Sequence, residues 1–131
     1  PLPQPTDFLN KMSRRAKMKH LEDTGNLLEI IHLTKDEDSQ VRLKAIQCLC
    51  PCKVLRDFDI AYERLFELAT DPDPKIRYQV LHNICDGSPK HYEDKVVQAL
   101  NIFNKDKDKK IRRAANRVLG SVLRRGKWNI L

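Results

Sequence analysis

The sequence of 131 residues has little of what membrane proteins and many enzymes need. Only four residues are Gly and one is Trp, and aromatic residues make up 6% of the chain. No apolar run approaches the roughly 18 residues that span a membrane, and no short apolar segment follows a basic start as in a signal peptide. We therefore expect no membrane partner and an intracellular location, in the cytoplasm or the nucleus.

Familiar catalytic motifs are also missing. The sequence has no phosphate-binding glycine loop, no dinucleotide fingerprint, no His-Glu-x-x-His helix and no Gly-x-Ser-x-Gly turn. The four His residues are dispersed, and Ser88, which stands near His91, is better explained as the N-cap of a helix that restarts at Pro89. We expect no catalytic residues, no cofactor and no enzymatic activity.

Four Cys residues raise the question of disulfides or a metal site: Cys48, Cys50, Cys52 and Cys85. Nothing in the sequence indicates secretion, so we expect reduced thiols. Cys50 and Cys85 stand 35 positions apart and Gly120 continues the series, which favours small residues at one packing position. Zinc bound by Cys48, Cys50 and Cys52 is the alternative, but zinc usually takes paired ligands with a second pair elsewhere. The sequence therefore predicts no metal.

The most informative feature that is present is a seven-residue segment that occurs three times at a constant offset of 35 residues. The copies are DEDSQVR at 36–42, DPDPKIR at 71–77 and DKDKKIR at 106–112. Self-similarity with a period of about 20–50 residues is typical of solenoids, whose units bury their apolar faces by stacking on each other. The sequence therefore predicts an all-α superhelix built from repeated helical hairpins.

Apolar positions recur at the same offset on both sides of each copy. Upstream, they predict a first helix whose buried residues include Ile30, Leu33, Leu65, Leu68, Leu100 and Phe103. Downstream, the spacing i, i+4, i+8 predicts a second helix with one buried face. The residues expected on that face are Val41, Ala45, Leu49, Ile76, Val80, Ile84, Ile111, Ala115 and Leu119.

The acidic turn between the two helices has a structural interpretation. Its second Asp stands where an N-cap carboxylate accepts from the free N–H groups of the next helix. The Arg that ends each copy can bond to the acidic turn of the following unit, which predicts a ladder of charge-assisted bonds. The residues of this ladder are Asp36, Asp38, Arg42, Asp71, Asp73, Arg77, Asp106, Asp108 and Arg112.

The first 25 residues do not fit the repeat. After a proline-rich start, Thr6 or Asp7 can cap a basic amphipathic helix, which we expect to cover the open apolar end of the stack. A nuclear-localisation or membrane-surface role for the same charges is the alternative. We expect one domain, composed of a tail and capping helix (1–25), three repeats (26–53, 54–87 and 88–126) and a tail (127–131). Because it begins with Pro1, we expect a piece of a longer chain.

The pattern of an apolar helix, an Asp-x-Asp turn, Val or Ile followed by Arg, then Ala and Leu-Gly resembles HEAT and HEAT-like repeats. It is most complete from Asp106 to Gly120, and the resemblance covers about residues 26–125. The family implies an α-α superhelix that most often serves as a protein-binding scaffold. Some of its branches bind nucleic acid and one is a DNA glycosylase, so the resemblance alone selects none of these functions.

In HEAT-like stacks the second helices line the concave side, so their exposed faces form the candidate binding stripe. The face includes Ala114, and its candidate binding residues are Lys75, Tyr78, His82, Lys110, Arg113, Arg117, Arg124 and Arg125. The stripe becomes more basic toward the C-terminus, where residues 105–131 hold ten Lys and Arg against two Asp. A basic surface of this kind attracts a polyanion.

Two functions are consistent with that surface. The first is a non-enzymatic scaffold that binds an acidic segment of another protein. The alternative is a nucleic-acid-binding domain that contacts phosphates through the C-terminal basic face. Base stacking needs aromatic residues among the cations, and only Tyr78 and Trp128 are candidates, which favours the protein partner. A catalytic HEAT-like enzyme is a third hypothesis, but no pocket with a carboxylate and aromatic residues is predicted.

Overall fold

The computed structural model describes residues 4–50 and 59–131, and every regular element in these ranges is helical. In chain order the helices are α1 (Asp7–Asn10), α2 (Arg14–Asp23), α3 (Leu27–Leu33), α4 (Ser39–Cys48), α5 (Asp59–Glu67), α6 (Pro74–Ile84), α7 (Glu93–Phe103) and α8 (Lys109–Arg125). Short 3-10 turns occupy Leu68–Thr70 and Lys90–Tyr92. The all-α class is thus confirmed. The predicted repeat boundary at residues 53 and 54 lies outside the described residues.

The helices pack in two rows. Helices α3, α5 and α7 each contact the helix that follows them, while α4 contacts α6 and α6 contacts α8. The apolar positions at the 35-residue offset meet between the rows, and Val41, Ile76 and Ile111 are fully buried there. This stacking of amphipathic helices agrees with a helical solenoid.

Leu119 departs from the expected core. We expected it to be buried like Leu49 and Ile84, but it is only partly buried. It lies on the side of α8 against which no further described helix packs, and Leu123, one turn further on, is 87% exposed. Leu119 therefore lacks the neighbour that covers its equivalents in the preceding units.

The acidic turns start the second helices as the sequence predicts. Asp38, Asp73 and Asp108 have extended backbone angles, and their carboxylates accept from the N–H groups two residues later, at 2.8–2.9 Å. Pro74 occupies the first turn of α6, where its missing N–H costs nothing. The same cap thus sets the same entry point for each second helix.

The expected single capping helix is wrong. The segment forms α1 and α2 with a break at residues 11–13, and Ser13 caps α2 by accepting from the N–H of Ala16 at 3.1 Å. Thr6 makes no side-chain cap bond to α1. Helix α2 packs against α4, so it takes the place that the second helix of a preceding unit would occupy. Leu9 of α1 and Leu21 of α2 are both buried in the main core.

The residues after α8, which we expected to form a C-terminal tail, fold back onto the protein. Gly126 ends α8 in the left-handed region, with φ 65°, which Gly adopts without steric penalty. Trp128 is then buried, and its indole Nε1–H donates to Oγ of Ser88 at 2.7 Å. Ser88 donates in turn to the Ile84 carbonyl, so it is not the N-cap that we expected.

Candidate interaction surface

The arginine at the end of each acidic turn makes two kinds of contact. In Arg77, one terminal nitrogen donates to the Asp71 and Pro72 carbonyls at 2.9 and 3.1 Å. Its Nε and other terminal nitrogen donate to the two carboxylate oxygens of Asp106 at 2.8 and 3.0 Å. This is the bidentate geometry in which Arg–carboxylate pairs are strongest. The contact joins two successive acidic turns.

Arg42 makes the same contact one unit earlier, whereas Arg112, one unit later, does not make it with any described residue. Arg42 donates from Nε and its second terminal nitrogen to Asp71 at 3.1 and 3.3 Å. Lys17 of α2 reaches Asp36 at 2.6 Å, in the place that an arginine of a preceding unit would take. Arg112 bonds to the carbonyls of its own turn, but it meets no carboxylate among the described residues. The described ladder thus has three rungs.

Charge and burial act on these groups in opposite directions. Desolvation by burial is the largest single effect on Asp106 and raises its pKa, but the hydrogen bond from Arg77, that from the Asp108 N–H and the nearby positive charge together lower it. The hydrogen bonds that Arg77 donates to the Asp106 carboxylate raise the pKa of Arg77. Both partners are therefore held in their charged forms, with side chains only 7% and 11% exposed. The ladder is scaffold, because every cation in it except Arg112 is already paired.

Unpaired cations gather instead on one face of α8. At about 100° per residue, Lys110, Arg113, Arg117 and Arg124 fall within about 60° of each other around the helix axis. All four are exposed, and neither Arg113 nor Arg117 has a hydrogen-bond or ion-pair partner among the described residues. We call these four residues the basic face. Two predicted stripe residues of α8 do not belong to the basic face. Arg125 donates to Ser121 at 3.0 Å, and Ala114 is buried.

The equivalent face of α6 borders the basic face. Lys75 is exposed there, and Tyr78 is partly buried, with the ammonium group of Lys110 lying 4.3 Å from the centre of its ring. A shallow groove of about 420 Å³ runs between the two helices and is lined by Tyr78, Lys109, Lys110, Arg113, Ala114 and Arg117. In His82, further along α6, the Nε2 atom lies 3.9 Å from Oδ2 of Asp86. The groove thus brings Tyr78 of α6 together with Lys110, Arg113 and Arg117 of α8, while Lys75, His82 and Arg124 lie outside its lining.

The stacked helix pairs, the capped acidic turns and the Arg–Asp rungs agree with a comparison to known families. A family model of HEAT repeats matches residues 26–120. The chain belongs to the HEAT repeat family. HEAT repeats generally serve as scaffolds for protein interaction, and the fold is generally non-enzymatic. Comparisons with curated proteins and with solved structures gave no match. No described helix of this HEAT repeat protein is long and apolar enough to cross a membrane.

Two groupings in this HEAT repeat protein escaped the sequence analysis. One is the contact of Trp128 with Ser88, 40 residues away, for which no periodic signal exists. The other brings together Cys50, His82 and Asp86. The contact between Cys50 and Asp86 could have been predicted from the repeat. Cys50 and Cys85 occupy the same position in successive units, and stacking places Asp86, which follows Cys85, next to Cys50.

Proposed function

We propose that this HEAT repeat domain is a non-enzymatic scaffold that binds an acidic segment of a partner protein on the basic face of α8. The observation that carries the proposal is the contrast between two sets of arginines. The arginines at the unit junctions, Arg42 and Arg77, are already paired with carboxylates of the chain itself. Arg113 and Arg117 are exposed and have no such partner among the described residues. Guanidinium groups in this state are suited to carboxylates from outside.

The aromatic residues support a protein partner over a nucleic acid. Binding of single strands uses aromatic faces on which bases stack. Among the described residues, Tyr78 is the aromatic beside the basic face, and the ammonium group of Lys110 lies 4.3 Å from the centre of its ring. Trp128, the other candidate, is buried and 6% exposed. Neither ring is presented for stacking, whereas an acidic peptide needs only the charged groups and the groove between α6 and α8.

The proposal predicts that charge reversal on the basic face abolishes binding of an acidic peptide. The variant replaces Lys110, Arg113, Arg117 and Arg124 with Glu, and the probe is a fluorescent oligoglutamate peptide at physiological salt. We expect the affinity to fall by about 100-fold, since four exposed charge contacts of about 0.2–1 kcal/mol each are lost and tenfold in affinity corresponds to about 1.4 kcal/mol. Fluorescence anisotropy measures the loss, and the melting temperature should change little because exposed charges contribute little to stability.

A matched control separates the basic face from net charge. Four exposed cations elsewhere, Lys11, Arg15, Lys105 and Lys107, are replaced with Glu to give the same change in net charge. This control should bind the peptide with at most a few-fold loss. Equal losses in both variants would show that the peptide responds to overall charge, and the basic face would then not be the binding surface.

A further inference from the structure

A cluster of metal-ligating side chains lies at one end of the second-helix row, apart from the basic face. The thiol of Cys50 donates to Oδ2 of Asp86 at 3.4 Å, and Nε2 of His82 is 3.9 Å from the same oxygen. The three ligand atoms all lie within 4.8 Å of one another. Cys50 is buried, while the side chains of His82 and Asp86 are 36% and 27% exposed. One sulfur, one nitrogen and one oxygen donor thus converge where an ion can enter.

These separations can be compared with those of a tetrahedral zinc site. Bonds of about 2.3 Å to sulfur and about 2.0–2.2 Å to nitrogen and oxygen place S and O about 3.6 Å apart, and N and O about 3.3 Å apart. The observed sulfur–oxygen distance of 3.4 Å already fits. The nitrogen–oxygen distance of 3.9 Å requires the imidazole to move by about half an ångström, and a sulfur–nitrogen separation as large as 4.8 Å requires about one ångström, which a partly exposed side chain permits.

The position in the fold adds a second argument for a cation. Cys50 lies two residues beyond the end of α4, His82 is in the last turn of α6, and Asp86 lies two residues beyond the end of α6. The carbonyl ends of helices carry partial negative charge and favour cations. Cys85 is fully buried and is not part of this cluster, whose sulfur donor is Cys50.

We propose that Cys50, His82 and Asp86 bind one divalent zinc ion that ties the end of α4 to the end of α6. Thiolate with imidazole selects zinc over magnesium and calcium, which prefer oxygen ligands, and a carboxylate completes three protein ligands with one position left open. This revises the expectation of no metal. In the Cys48–Cys50–Cys52 alternative, the Cys48 thiol instead donates to the Leu21 carbonyl at 3.6 Å, and Cys52 lies outside the described residues.

The proposal is tested with cobalt(II) as a spectroscopic probe, added to the full chain after treatment with a chelator. We expect saturation at one cobalt per chain with a thiolate-to-cobalt charge-transfer absorption, and displacement by zinc, which binds more tightly in the usual order. Zinc should also raise the melting temperature of the wild-type protein. Asp86→Asn and His82→Gln should each weaken cobalt binding by more than about 100-fold, since even outer partners of a ligand contribute about 10–100-fold.

Two cysteine variants complete the test. Cys50→Ser should lose the charge-transfer absorption, whereas Cys48→Ser should keep it along with the stoichiometry. Circular dichroism of the metal-free variants checks that each is folded, and the variants of His82 and Asp86 are the decisive ones because these side chains are only partly buried. The proposal is overturned if no charge-transfer absorption develops, or if cobalt binds folded Asp86→Asn and His82→Gln as tightly as the wild type.

Discussion

Replacing Arg77 with Gln should lower the free energy of unfolding by about 3–5 kcal/mol, whereas the same change at Arg112 should lower it by about 1 kcal/mol. Arg77 satisfies both oxygens of Asp106, whose side chain is 7% exposed, so its loss leaves a carboxylate without its counter-charge. Within the described part of the chain, Arg112 bonds only to the carbonyls of its own turn. Chemical denaturation of the two variants measures the difference, which isolates one rung of the ladder.

The effect should also depend on pH. The folded-state pKa of Asp106 is lowered from its ordinary 3.8, so the rung stabilises the protein fully above that value. The stabilisation is lost as pH falls through the lowered pKa of the folded state. The gap between wild type and Arg77→Gln should therefore be constant from pH 5 to 7 and shrink below about pH 4. Equal losses for Arg77→Gln and Arg112→Gln, or a gap that widens on acidification, would show that the rung does not stabilise the stack.

Truncating Trp128 to Ala should destabilise the domain by about 3–5 kcal/mol, the range for large buried aromatic residues. The side chain is 6% exposed and packs in the main core, and its indole N–H is bonded to Ser88. Trp128→Phe keeps the apolar contact and loses the hydrogen bond, so we expect about 1 kcal/mol from that variant. Thermal or urea denaturation measures both.

Leu123→Ala is the matched control for Trp128. Leu123 belongs to the same C-terminal region but is 87% exposed, so its truncation should change stability by less than about 0.5 kcal/mol. A similarly small effect of Trp128→Ala would mean that the C-terminal residues do not hold the end of α6. We expect the loss in free energy of unfolding to be largest for Trp128→Ala, smaller for Trp128→Phe and smallest for Leu123→Ala.

Features tied to the 35-residue period could be predicted from the sequence, because stacking brings equivalent positions into contact. The N-cap role of Asp73 and the burial of Ile76 follow from that period, and both are observed. The 35-residue period predicts nothing for the segments that lie outside the repeats. The break before Ser13 and the return of Trp128 to Ser88 depend on contacts between segments with no counterpart in other units.

The candidate surface was predictable only in part, since a sequence gives helical angles but not neighbours. Arg113 and Arg117 were placed on the exposed face of α8, where they lie. Ala114 was assigned to the same face but is buried, because α6 packs against that side of α8. Arg125 was assigned by charge alone, although about 120° of rotation separates it from Arg113. Helical rotation identifies a face, but only the packed neighbour decides where that face ends.

We propose that the basic face binds an acidic protein segment and not a nucleic acid. A salt titration with two ligands distinguishes these two partners. The wild-type domain is titrated with the oligoglutamate peptide and with a random-sequence DNA duplex, starting at about 0.15 M salt. We expect saturable peptide binding that is lost in the basic-face variant, and weak duplex binding. Sub-micromolar duplex binding whose logarithm falls with log salt at a slope of about −3 to −4, the value for four phosphate contacts, would contradict it.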